Sequence, residues 1–356
     1  MKIKHIFFIL SLLLYVLIIP STPINSNTIL SEKLNNDTIP KEITNNIIQE
    51  IQKKKSNFRH LNPDEVKVGA YLLNIRRFEV AAGSWIADFY VWVIWNNKDI
   101  SPTNLEVVNG VINNKDNPPL ETFEVDGVTY NWLTYRITAT ISSNLIFKRY
   151  PLDVQTLTIE IEDQILGCDK MKYVSIDMEN NIDDYIKIQG WEIKEKFTEL
   201  LTHKYKTNFG YGKPGDKSFN DYSRMVFGIK ISRPTSTLIK LLVPLCIILS
   251  LSFLAFLLTP DKLGQRISLG VSTIFASVAY HINVTSGIPQ VSYLTLVDRL
   301  MIIVYFTLLC SLINTIMITK FVDSKEMDKA IKINKIIGIL LPITSLSIII
   351  YQFFIY

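Results

Sequence analysis

Four long apolar runs crowd the last third of this chain and limit its fold more than any other feature. They cover residues 238–258, 267–284, 294–319 and 336–356 and contain few charges. About 20 apolar residues make a helix long enough to cross the hydrocarbon core of a bilayer. Backbone groups find no partner in lipid, so such runs cross as helices that bond to themselves. The spans are expected at about 236–258, 264–285, 293–320 and 331–356, in a transmembrane domain of 235–356. An even number of crossings returns the chain to the side on which it started. Lys262 and Arg266 before the second run, and the lysines between 320 and 335, then share one side. Short basic connections mark the cytoplasmic face, so the preceding region lies outside it.

The N-terminus supports that orientation. Lys2 and Lys4 precede an uncharged stretch from Ile6 to Ile19, followed by Pro20-Ser21-Thr22. A basic start, a short apolar centre and a small polar tail describe a signal peptide, expected over 1–26 with cleavage near Ser26. Residues 27–62 form an extension in which Ile43, Ile47, Ile48 and Ile51 recur at helical spacing. The formal charge of +4 is small, and its lysines and arginines are scattered, which is not a nucleic-acid footprint. Cys246 and Cys310 sit inside apolar runs and leave Cys168 without a partner on its own side of a membrane. No disulfide framework or CxxC metal site follows.

Between 63 and 234 the period of the pattern changes to two. Leu157, Ile159 and Ile161 alternate with Thr156, Thr158, Glu160 and Glu162, and Met225, Phe227, Ile229 and Ile231 alternate with Val226, Gly228, Lys230 and Ser232. Alternation of this kind is a strand with one face in a core. The segment from Trp85 to Trp95 is apolar on both faces, and Asp126-Gly127 is a two-residue hairpin signal. Several short strands separated by turns predict an extracellular antiparallel β-sandwich, immunoglobulin-like in architecture, followed by a four-helix transmembrane domain.

The second apolar run is the informative one. Ser268, Ser272, Ala279, Asn283 and Ser286 are polar or small and fall in steps of three, four or their multiples, so they form one stripe of a helix. Phe275 lies on or beside the stripe and Ile282 next to Asn283. Lipid cannot satisfy hydroxyls and amides, so the stripe faces protein or water. The plainer alternative is a helix held in a bundle by its serines and threonines. A single stripe cannot enclose a pore, so a channel demands a ring of subunits. Phe275 would then be a bulky apolar ring that dewets when narrow, a gate.

Phe147-Lys148-Arg149-Tyr150-Pro151-Leu152-Asp153-Val154-Gln155 resembles the FPxDxQ core of the Cys-loop receptors, the pentameric ligand-gated ion channels. Animal members close this loop with a disulfide; Ser143 and Leu157 stand at the two cysteine positions here, as in the prokaryotic branch. Gly190-Trp191-Glu192-Ile193, Arg233-Pro234, Ile288-Pro289, Val271-Ser272-Thr273-Ile274 and Pro244 match other parts of the family pattern in order. The resemblance implies a homopentamer, each chain joined by four identical subunits, set in membrane lipid, passing inorganic ions and opened by a small agonist bound between sandwiches. It implies a pore face of Ser268, Ser272, Phe275, Ala279, Ile282 and Ser286. It also implies a coupling zone of Glu79, Tyr150, Pro151, Asp153, Arg233, Pro289 and Tyr293, in which Glu79 and Asp153 are acids able to hold the Arg233 guanidinium. The plainer alternative is that this pair only fastens the domains together.

Charge selection is expected at the cytoplasmic mouth, Gly264, Gln265 and Arg266. Cation-selecting members usually carry a glutamate ring there; Gly264 and Gln265 occupy those positions, and the run from Arg266 to Val271 is similar to the anion channels. A basic ring favours anions if Arg266 faces the lumen. For the agonist, the segment before the last sandwich strand offers Tyr205, Phe209, Tyr211 and Phe219, where aromatic rings can hold an ammonium. The segments around 163–172 and 105–109 are poor in aromatics, which leaves protons, a divalent cation or an acidic ligand as alternatives. Asp177, Glu179, Asp183 and Asp184 form an acidic run that reads as a solvated face, with calcium binding as the alternative. No HExxH, GxSxG or P-loop occurs, and His281 reads as an interhelical hydrogen-bonder. No enzyme activity, cofactor, metal or nucleic-acid partner is expected. A membrane sensor that does not conduct is the competing function, and it lacks a cytoplasmic output domain.

Overall fold

Alternating side chains build the extracytoplasmic half, seen in a computed structural model that describes residues 61–175, 181–207, 209 and 221–354. The expected signal peptide, residues 27–60 of the extension, Asp177, Glu179, Tyr211 and Phe219 lie outside the described residues. Strands β1 (Glu65–Glu79), β2 (Ser84–Trp95), β4 (Gly110–Lys115), β5 (Glu121–Val125), β6 (Val128–Ser142), β8 (Lys172–Ser175) and β9 (Asn181–Ile182) form a seven-stranded sheet. Its order is β4-β6-β2-β1-β8, with β5 also on β6 and β9 also on β1. Strands β3 (Leu105–Val107), β7 (Val154–Asp163), β10 (Glu192–Lys204) and β11 (Asp221–Ser232) form the second sheet, in order β10-β11-β7-β3. Pairing is antiparallel except that β8 and β9 run parallel to β1. Alternation within one strand carries no information on its partner's direction, so the two parallel pairs were beyond sequence reasoning.

The sheets face each other across one apolar core. Leu157, Ile159 and Ile161 of β7 and Met225, Phe227, Ile229 and Ile231 of β11 are buried, opposite Trp85 and Phe89 of β2 and Ile137 and Ile141 of β6. Fully burying one such side chain contributes about 1.5–3 kcal/mol. Asp126 (φ 53°) and Gly127 (φ 79°) adopt the left-handed region that the tight β5–β6 turn requires.

After Pro234 the chain turns helical. Helix α1 (Thr235–Leu254) continues into a 3-10 turn (Ala255–Leu257), followed by α2 (Leu263–Thr285), α3 (Leu296–Asp323) and α4 (Met327–Phe354). All four are long and apolar enough to cross a membrane. Helix α3 starts on a capping box: the Thr295 hydroxyl accepts the Asp298 N–H at 3.2 Å, and the Asp298 carboxylate accepts the Thr295 N–H at 2.8 Å. Leu241, Leu245 and Leu249 of α1 pack against Val297, Leu300, Met301 and Val304 of α3. The two domains interpenetrate. Ile288, between α2 and α3, joins the sandwich core, while Tyr150 and Leu152 of the sandwich pack on the helical core.

Candidate functional site

Helix α2 has two different faces. At 3.6 residues per turn, Ser268, Ser272, Phe275, Ala279, Ile282 and Ser286 fall within a stripe about 80° wide. All six are exposed in the subunit, Phe275 at 72% and Ile282 at 66%. Arg266, Gly270, Thr273 and Ser277 lie on the opposite face and are buried. The buried hydroxyls bond back to their own helix: Thr273 donates to the Leu269 and Gly270 carbonyls at 2.9 Å, and Ser277 to the Ile274 carbonyl at 2.8 Å. Ser286 donates to the Asn283 carbonyl at 2.7 Å. The Ser268 and Ser272 hydroxyls have no partner among the described residues. Gly264 and Gln265 are exposed at the start of α2.

Arg266 departs from the expected mouth ring. It is 1% exposed, donates through Nη2 to Asn334 Oδ1 on α4, and leaves Nε and Nη1 without a hydrogen-bond partner. Asn334 in turn donates to the Phe256 carbonyl at 2.9 Å. The reason is helical geometry: a residue two positions before Ser268 points about 160° away from the stripe. The guanidinium therefore sits behind the exposed face and cannot form a basic ring in it. His281 bridges helices, with Nε2 2.9 Å from Asp298 Oδ1 and Nδ1 3.1 Å from the Tyr305 hydroxyl, both on α3.

The junction gathers most of the residues expected there. Arg233 donates through Nε to Asp153 Oδ1 at 2.9 Å, and Asp153 is 2% exposed. The Arg233 guanidinium also lies 4.8 Å from the Tyr150 ring centre and 4.3 Å from that of Trp191, a cation between two π faces. Tyr150 donates to the Val284 carbonyl near the end of α2 at 3.2 Å, and burial pushes its phenol pKa up. The Tyr293 hydroxyl accepts the Phe147 N–H at 2.9 Å. Pro151 is buried and Pro289 half-buried beside this cluster. Without a disulfide the loop is closed by Gln155, which accepts the Ile146 N–H and donates to the Ile146 carbonyl, both at 2.9 Å. Ser143 accepts the Trp85 indole N–H at 3.0 Å, and Leu157 fills the core. Glu79 is exposed at the end of β1 and holds no ion pair with Arg233. The resemblance placed two acids beside one arginine and did not reveal which of them the fold buries there.

At the outer end of the second sheet, Tyr205 and Phe209 meet with ring centres 5.3 Å apart, and Tyr222 packs on Tyr205 at 5.6 Å. Tyr205 donates to Glu162 Oε2 at 2.8 Å; Arg224 donates to the other Glu162 oxygen at 2.6 Å and to Glu160. Burial, then the hydrogen bond to Glu162, push the Tyr205 pKa up to about 12. A separate groove of about 500 Å³ runs over the outward face of the seven-stranded sheet, lined by Tyr71, Tyr90, Trp92, Phe123 and Trp132. Sequence reasoning missed it, although Tyr90, Trp92 and Ile94 alternate along β2 and so share the face opposite its buried residues. Asp183 is committed to Tyr185 N–H and the Tyr71 hydroxyl. Among the described residues no group of three or more His, Cys, Asp or Glu side chains is placed to hold a metal.

Residues 241–342 match the family described as the neurotransmitter-gated ion-channel transmembrane region. The chain is similar to a proton-gated ion channel of Gloeobacter violaceus, 29% identical over 48% of this chain and 44% of that protein. It is also similar to gamma-aminobutyric acid receptor subunit rho-2 of Homo sapiens, 26% identical over 51% of this chain and 37% of that one. A gamma-aminobutyric acid receptor subunit beta-like of Drosophila melanogaster is 22% identical over 58% of this chain and 38% of its own length. The chain thus spans less than half the length of these relatives. With four crossing helices in a channel-type region, it is a multi-pass membrane protein whose sandwich lies outside the cytoplasm.

Proposed function

We propose that five copies of this chain assemble around an axis lined by α2 and form an agonist-gated ion channel. The observation that carries this reading is the split of α2 into an exposed stripe, where the Ser268 and Ser272 hydroxyls have no partner among the described residues, and a buried face whose hydroxyls bond back to their own helix. In a ring, Ser268, Ser272, Ala279 and Ser286 offer ions a wet path, and Phe275 with Ile282 narrows it with apolar rings. Gly264 and Gln265 line the cytoplasmic mouth. They leave it uncharged, with the Arg266 charge one layer behind, and that potential favours anions. The agonist binds between neighbouring sandwiches. Tyr205 and Phe209, with Tyr211 and Phe219 further along the chain as candidates, supply one wall, and the outward groove of the next subunit supplies the other. Movement reaches the pore through Pro151 and the Asp153–Arg233 pair to Tyr150, whose ring lies against Arg233 and whose hydroxyl bonds the end of α2, and through Phe147, which bonds Tyr293 after Pro289.

Ion flux through liposomes containing the purified protein tests the proposal. Phe275→Ala is expected to raise basal flux several-fold, because a methyl no longer expels water from the constriction. Protein that passes no ions under any agonist or pH, with Phe275→Ala equally silent, is a sensor that does not conduct.

A further inference from the structure

The Arg266 guanidinium is 1% exposed, and its hydrogen bond goes to a neutral amide, Asn334 on α4. Nε and Nη1 have no partner among the described residues. Asn314 on α3 is also 1% exposed and is in the same condition, with neither Nδ2 nor Oδ1 bonded to a described residue. The two side chains lie at nearly one depth. Leu312 of α3 rests on Gly270 of α2, where a Cβ would come 2.5 Å from its Cδ2. Arg266 precedes Gly270 by four residues, about 6 Å toward the cytoplasm. Asn314 follows Leu312 by two, about 3 Å in the same direction, because α3 runs opposite to α2. Both occupy buried faces, Arg266 with Gly270 and Thr273, Asn314 with Ser311, Thr315 and Ile318. Asn334 joins this layer through Arg266 and donates to the Phe256 carbonyl at 2.9 Å, while Phe256 packs closely on Gly338 one turn further along α4.

This layer carries a positive charge, and Arg266 forms no ion pair with any described acid. A guanidinium stays protonated throughout the range in which a protein folds. In low dielectric an unmet charge costs more than an unmet hydrogen bond. A water molecule in the layer would satisfy donors and leave the charge unmet; an anion does both. With Nη2 turned to Asn334, the remaining Nε and Nη1 lie on different edges of the guanidinium plane. They do not make the two-pronged fork that grips a carboxylate or phosphate, whereas a spherical ion needs no fork. The surroundings concentrate anions as well: residues 261–266 and 320–335 contain seven lysines and arginines against four acids. We infer that the layer between α2, α3 and α4 binds a small inorganic anion, a halide, on Arg266 and Asn314. Binding of this kind does not depend on the channel reading. In a conducting ring it has a consequence: an occupied site cancels the charge behind the mouth, so the preference for anions falls as halide fills it.

Thermal unfolding of the full-length protein in detergent tests the inference, with sodium chloride or bromide replacing sodium gluconate at constant ionic strength. Each halide is expected to raise the midpoint by about 2–4 °C for every tenfold increase above its dissociation constant. Gluconate is too large for a layer closed by packed side chains. Asn334→Asp brings a carboxylate to Arg266 and is expected to abolish the halide response. Arg266→Gln is expected to abolish it too, and Asn314→Leu to weaken the halide about tenfold. Because the response is read within each variant, a lower starting midpoint does not imitate its loss. Crystals grown in bromide are expected to show an anomalous peak beside Arg266. The same midpoint in all three salts, as water alone in the layer would give, overturns the inference. So does a halide response unchanged in Asn334→Asp, or a bromide structure with no peak at Arg266. Ion flux is read separately: halide stabilisation without flux removes the channel reading alone, and flux without halide stabilisation removes this inference alone.

Discussion

Three arginines, Arg224 and Arg266 buried and Arg233 partly buried, mark successive levels of the subunit, and they differ in how fully their charge is met. Arg224, in the sandwich, has two carboxylates, Glu160 and Glu162. Arg233, where the sandwich joins α1, has one carboxylate, Asp153, and two aromatic faces. Arg266, at the start of α2, has a neutral amide and two nitrogens without a partner. A guanidinium in low dielectric is costly unless paired, so this decline in compensation separates the roles. Arg224 fastens β7 to β11; in the proposed channel, Arg233 would hold two domain arrangements by trading its acid against its rings, and Arg266 would keep a field that passing ions feel.

The largest expected effect comes from breaking the middle case. Asp153→Ala removes the buried carboxylate and leaves the partly buried Arg233 with rings alone, which costs about 3 kcal/mol, read as a lower midpoint of thermal unfolding in detergent. Arg233→Leu in the same background removes the orphaned charge and is expected to recover part of that loss. If the double variant also gates like the parent, the pair is a static fastener and the contrast with Arg224 disappears.

A smaller effect is expected from completing the least compensated case. Asn334→Asp places a carboxylate where the amide already touches Arg266, without a change of size. A hydrogen bond to an ionised partner exceeds a neutral one by about 1 kcal/mol, but the same change removes the donor to the Phe256 carbonyl, so the midpoint of thermal unfolding is expected to change little. Cancelling the charge behind the mouth moves reversal potentials in a chloride gradient toward cations, and Gln265→Glu, which puts the acid in the mouth itself, moves them further. Unchanged potentials in Asn334→Asp together with a shift in Gln265→Glu assign selectivity to the lumen alone.

How these three sites could be read before the fold was known follows from the range of the interactions. The inward aim of Arg266 is local: two helical positions from Ser268 decide it. The same short-range periodicity delivered both the strands of the core and the exposed stripe of α2. The Asp153–Arg233 contact was legible only as part of a resemblance, because the chain distance between them says nothing of proximity, and Glu79 was placed beside them on that same ground. The Glu160–Arg224–Glu162 group and the aromatic groove need the register of β1, β2, β6, β7 and β11, which no single strand encodes. The outward face of β2 carried half the signal in its alternating Tyr90 and Trp92, masked because its other face is apolar as well.

The smallest effect probes the most compensated case through Tyr205. Its phenol is a third partner of the Arg224 group, bonded to Glu162 and 3.3 Å from Arg224 Nη2. Burial and the Glu162 carboxylate both disfavour the phenolate, Arg224 favours it, and the balance raises the pKa from 10.0 to about 12. A folded-state pKa raised above the unfolded one contributes stability that is complete below the unfolded value and disappears as pH rises through the folded value. The contact therefore holds fully below pH 10 and loosens on the way to about 12. The difference in tyrosinate absorbance between the parent protein and Tyr205→Phe is expected to show one phenol that ionises late. Glu162→Gln takes away the hydrogen-bonded charge and should bring that ionisation back toward the ordinary value. If the phenol titrates near 10 in the parent, Glu162 is not holding Tyr205, Arg224 has its two carboxylates to itself, and the proposed agonist wall has a free hydroxyl instead of a tethered one.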